Sequence, residues 1–140
     1  MISASEEVQA WTVALVHAAM DSLLIKNPQD RVGTEVTGRT PRPYAIVPYP
    51  RQTQDIELSD RDEYAVAVEA EIQLRGDENE KELVQISAAC INLAEDRNPP
   101  AGWTLVTLHL LSEQRAETDD PNKPVYGRDV VFILRLSRDR

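Results

Sequence analysis

From Tyr64 to Arg75 the chain alternates without a break. Tyr64, Val66, Val68, Ala70, Ile72 and Leu74 fall on one side, and Ala65, Ala67, Glu69, Glu71, Gln73 and Arg75 on the other. A period of two belongs to a β-strand with one face in a core and the far half of the other face in water. The N-terminal stretch has a different period. Val8, Trp11, Leu15, Ala18, Ala19 and Leu23 recur at helical spacing, with Val13, Val16, Met20 and Leu24 as a second stripe beside them. So broad a stripe calls for more than one neighbour. Ser3 and Glu6 stand at capping-box spacing, Lys26 suits the end of the dipole, and Pro28 stops the pattern. These signals predict a helix over 4–26.

Residues 27–43 hold two glycines and three prolines and no sustained period, which marks a long loop. Tyr44 to Tyr49 is a short apolar run enclosed by Pro43, Pro48 and Pro50. Proline cannot donate to a ladder, so this strand belongs at a sheet margin or ends at a bulge. Residues 51–62 read as a polar connection. After Gly76, Asn79 and Glu82 form a second capping-type pair ahead of Leu83, Ile86, Cys90, Leu93 and Ala94. They predict a helix over 80–96, stopped by Asn98-Pro99-Pro100-Ala101-Gly102. Two strands follow over 103–114 and 128–138, each partly apolar on both faces. The polar loop between them, Arg115 to Gly127, is too long for a tight hairpin. The order α-β-β-α-β-β describes an α+β fold, a mostly antiparallel four-stranded sheet with two helices packed on one face and long exposed loops. Leu105, Leu111, Val131 and Ile133 leave an apolar surplus that a neighbouring subunit or layer would cover.

Length and composition fit this reading. A chain of 140 residues holds one core and is expected to form a single domain over 1–140. A formal net charge of −9 opposes phosphate backbones and anionic membranes. The acidic start and the interruption of the first apolar run by His17 and Asp21 speak against a signal peptide or a membrane span. The one cysteine, Cys90, lies in an apolar helical pattern and reads as a small core residue, without an adjacent base to make it a nucleophile.

Chemistry is sparse. His17 and His109 are not at ligand spacing from each other or from Cys90, so no metal is expected. Gly33 to Gly38 lacks the lysine and following helix of a phosphate loop. Glu69 and Glu71 share a strand face about 7 Å apart, yet Gln73 and Arg75 continue that polar face, which reads as a solvated or interface stripe. Glu117 to Asp120 lacks an EF-hand pattern. No catalytic residue, cofactor or metal ligand is assigned, and an enzyme is not expected.

The leading helix, the loop ending in GRTPRPYAIV, the strand YAVAVEAEIQLRG, the helix NEKELVQISAACINLAED and the closing strand pair together resemble the tail terminator, or tail completion, proteins of long-tailed bacteriophages, of the lambda type. The resemblance implies a structural virion protein that forms a hexameric ring at the head-proximal end of the tail tube. There it ends tube polymerisation and joins tail to head. Its partners would be further copies of itself, the tail-tube protein and a neck or connector protein, with DNA passing through the ring. It would be made in the host cytoplasm and reside in the tail or neck of the virion. A head–tail connector or other neck protein and, in a different class, a small-ligand-binding regulatory α+β module are the alternatives for the same layout. Arginine forks suit interface carboxylates, so Arg39, Arg42 and Arg51, with Asp119, Asp120, Lys123 and Tyr126 from the later loop, are the expected subunit or tail-tube contacts.

Overall fold

The structure, a computed structural model, describes residues 3–34, 40–54, 63–76, 80–116 and 126–139. Helix α1 spans Ser5–Ser22, followed by a 3-10 turn at Pro28–Asp30 and the strands β1 (Val32–Gly33), β2 (Tyr44–Ile46), β3 (Arg51–Gln54) and β4 (Glu63–Gly76). Helix α2 (Glu80–Ala94) and the long strands β5 (Thr104–Ala116) and β6 (Tyr126–Asp139) complete the described chain.

The α+β class stands, but the sheet is mixed and has six strands where four were expected. The two additional strands are short segments of the expected loops. Val32–Gly33 pairs parallel with Ala45–Ile46, and Arg51–Gln54, read as polar connection, pairs antiparallel with Val66–Glu69 of β4. Neither segment is apolar enough to announce a strand. Each is held by backbone hydrogen bonds to a strand already in place. β4, β6 and β5 are antiparallel neighbours in that order, and β2 and β3 lie end to end along the other side of β4.

That arrangement accounts for the prolines around Tyr44 to Tyr49. Ile46 pairs with Gln73 and Arg51 with Glu69, so residues 47–50 face only 70–72. Four residues against three is a bulge, and Pro48 and Pro50 sit where no ladder donor is required. β2 therefore ends at Ile46 rather than at Tyr49.

Both helices cover one face of the sheet. Val68, Ala70, Ile72 and Leu74 of β4 and Val130, Phe132, Leu134 and Leu136 of β6 are buried against Val8, Leu15, Val16, Ala19 and Met20 of α1 and Leu83, Ile86, Cys90 and Ala94 of α2. Trp11 meets Phe132 edge to face, ring centroids 6.5 Å apart. The Trp11 indole Nε1–H donates to the carbonyl of Asn98 at 2.9 Å, tying α1 to the segment after α2.

α1 is shorter than the expected 4–26. Ser3 Oγ accepts from the backbone N–H of Ser5 at 3.2 Å in place of the predicted capping box. At the other end Leu24 takes a left-handed φ of 61°, its N–H donating to Asp21 O while that of Ile25 donates to Met20 O. This is a Schellman closure with leucine where glycine is usual. Ile25 gains a place on the core, and Leu24 is left 88% exposed. α2 ends at Ala94 rather than 96, and Asn79 of its predicted cap lies outside the described residues.

Candidate interaction surfaces

The helix-free face of the sheet is built by the other half of each alternation. Ala67, Glu69, Glu71, Gln73 and Arg75 of β4 stand beside Asp129, Val131, Ile133 and Arg135 of β6, all half-buried. Val131 and Ile133 are the apolar patch expected there. Glu71 accepts from Gln73 Nε2 at 3.3 Å, and Arg75 holds Asp129 at 2.9 Å. Gly127 makes room for that pair, since a Cβ there would stand 3.2 Å from the Arg75 guanidinium and 3.0 Å from the Ala116 carbonyl oxygen. At the margin, Pro48, Tyr49 and Pro50 wall a cavity of ≈ 250 Å³ whose floor is Glu69, Glu71 and Val131. Tyr49 is 60% exposed at its rim. The carboxylate pair thus faces a surface cleft beside an aromatic ring.

β5 is the outermost strand on the other side. Two bulges, at Val106 and at Leu111, break its expected alternation. Leu105 and Leu108 turn to the core, while Thr107 and His109 pair with Arg135 and Ile133 on the helix-free side. Leu105 is therefore part of the core margin rather than of the apolar surplus. Val106, Leu110 and Leu111 are 43%, 44% and 56% exposed. Strict period two cannot foresee a bulge, because the inserted residue changes the face of everything after it.

At the α2 end of the covered face lies an ion-pair cluster that sequence reasoning missed. Glu113 accepts from the Arg128 Nε–H and from the buried Ser87 hydroxyl at 3.0 Å. Glu80 lies 3.9 Å from Arg128 and 3.8 Å from Arg115. The hydrogen bond from Arg128 holds the Glu113 carboxyl below the usual carboxylate range, and Glu113 in turn keeps Arg128 more firmly protonated. The four charges come from three elements, so only the fold brings them together.

The candidate chemistry stays dispersed. Burial pushes the Cys90 thiol up to about 12, so it carries almost no thiolate at neutral pH. His17 is on α1 and His109 on β5, and no group of three His, Cys, Asp or Glu able to hold a metal ion occurs among the described residues. No helix among the described residues is long and apolar enough to cross a membrane.

Of the expected contact residues, Arg51 opens β3 and is exposed, close to the Tyr49 cleft, and Arg42 is half-buried just before β2. Tyr126 begins β6 and packs against the core. Arg39, Asp119, Asp120 and Lys123 lie outside the described residues.

The described residues thus form an α+β fold with one sheet face closed by helices, the other left open among those residues, and two unlike sheet margins. Among solved structures, this fold is shared with a chain from the virion of a native gene transfer agent particle, with a TM-score of 0.57 and 16% sequence identity. The match covers 90% of this chain and 94% of that one. No protein-family model and no curated protein matches the sequence.

Proposed function

We propose that the chain is a structural virion protein, a tail terminator that forms a ring at the head-proximal end of a phage tail tube, stops tube growth and joins tail to head. The observation that carries this reading is the near end-to-end likeness to a chain of a virion particle. It agrees with the resemblance in element order that the sequence itself displays. The physical features are those of an assembling subunit. A long margin strand exposes Leu110 and Leu111, and an open sheet face carries Val131 and Ile133. A net charge of −9 would keep a ring from gripping the DNA that passes it. The proposed partners are further copies of the chain, most simply six, the tail-tube protein and a neck protein. The reading assigns no catalytic step and no cofactor. Arg39, Arg42 and Arg51, with Asp119, Asp120, Lys123 and Tyr126, remain the proposed contact residues.

The test is to polymerise the tail-tube protein of the same particle with and without this chain and to measure tube lengths by electron microscopy. Capped tubes in its presence and continued growth in its absence are expected. Tubes of unchanged length without any cap would remove the terminator reading.

A further inference from the structure

We propose that β5 of one copy adds, antiparallel, to the β3 margin of the next copy, so that successive sheets run on into one another; this pairing rests on the ring reading above and names the surfaces that close the ring.

Among the described residues β5 and β3 are open margins and are unlike each other, whereas β2 is closed on its outer side by β1. β5 is 13 residues long and pairs only with β6 among the described strands. Its sequence, TLVTLHLLSEQRA, has neither the proline nor the lysine with which isolated margins are usually guarded. On the far side, β3 pairs only with β4 among the described strands, and Arg51 and Thr53 are exposed there. A margin that meets a different margin on its neighbour makes a head-to-tail contact, the kind that closes into rings.

Strand direction fits. From β3 through β4 and β6 to β5 each ladder is antiparallel, so β5 runs opposite to β3. Copies related by rotation about an axis near the strand direction therefore bring β5 against β3 antiparallel, and the alternation continues from one copy to the next.

Level fits as well. Arg51, Glu69, Ile133 and His109 form one row across the sheet. The bulge at residues 47–50 faces 70–72, and the Leu111 bulge lies between the partners of Phe132 and Val131, which pair with Ala70 and Glu71. Both margins thus bend at the same height. Leu111 then lies level with Pro48 across the junction, and the apolar side chains exposed on β5 leave water.

The experiment uses the full chain carrying both Arg51→Cys and His109→Cys, treated with a flexible bismaleimide, with native mass spectrometry on the same samples. The native Cys90 is fully buried and does not interfere. A covalent ladder rising to the size of the native multimer is expected from the double variant, and covalent monomers from each single variant. Dimers from His109→Cys alone would mean that two β5 margins meet each other, which overturns the proposal. Multimers without cross-linking in the double variant would overturn this pairing and leave the ring reading standing, with β5 then free for a tail-tube strand. Monomers alone, with tail-tube protein present or absent, would overturn both.

Discussion

β4 and β5 have similar lengths, 14 and 13 residues, and similar numbers of apolar side chains, yet they end in opposite situations. In β4, Val68, Ala70, Ile72 and Leu74 are fully buried. In β5, no residue from Thr104 to Ala116 is. The difference lies in what stands above and beside each strand. β4 has β6 on one side, β2 and β3 on the other, and both helices over its apolar face. Among the described residues β5 has one neighbouring strand, β6, and the helices lie over β4 and β6 instead. Apolar content therefore sets how much surface a strand offers for burial. Position in the sheet sets how much is used within one copy, and the remainder on β5 is available to a second chain.

The contrast is broken most severely in the covered layer. Phe132→Ala removes the ring packed against Trp11 and leaves a cavity under both helices, and is expected to cost about 3–5 kcal/mol. Urea unfolding of the variant against the parent protein measures it. A loss below about 1 kcal/mol would mean that the layer is not close-packed around this ring.

An intermediate effect is expected where the covered face ends. Glu113→Ala leaves Arg128 without its main partner and should cost about 1.5–3 kcal/mol near neutral pH. Because the folded-state pKa of Glu113 is lowered, its contribution is fully present above the unfolded carboxylate pKa and is lost as pH falls through the lowered folded value. The stability gap between parent and variant should therefore close in acid. A gap that stays constant from pH 7 to pH 3 would assign the loss to packing rather than to the ion pair.

The smallest effect on the isolated subunit belongs to β5. Leu111→Ser at an exposed margin is expected to change stability by no more than about 0.5 kcal/mol while weakening multimer formation. Thermal melting of the monomer and native mass spectrometry of the assembled sample separate the two. A strongly destabilised monomer would show that Leu111 supports its own fold, and that β5 is an ordinary core strand.

Elements with a sustained period were legible. Both helices and the three long strands were found at nearly their expected positions, because each carries many apolar residues at one spacing. The short strands β1 and β3 were not, since Val32–Gly33 and Arg51–Gln54 hold too few apolar residues to show a period. The proline-bounded segment was half legible. Its prolines predicted a margin or a bulge, but only the pairing showed that β2 lies inside β1 and is joined to β3 by the bulge. Of the expected contact residues, Arg51 could be singled out from charge alone, whereas its closeness to Tyr49 and the Glu69–Glu71 pair needed the sheet.

By itself the sequence determined the α+β class, most of the core residues of the two helices and of β4 and β6, and the absence of close-spaced ligand or nucleophile motifs. These follow from local periodicity and spacing, which need no knowledge of distant partners. The tertiary structure alone decided the order of the strands, the two bulges that turn Leu105 inward and leave Leu111 exposed, and the Glu80, Glu113, Arg115 and Arg128 cluster. Each depends on pairing between residues far apart in the chain, and register there is set by the competition of whole faces for burial, which no single window of sequence contains.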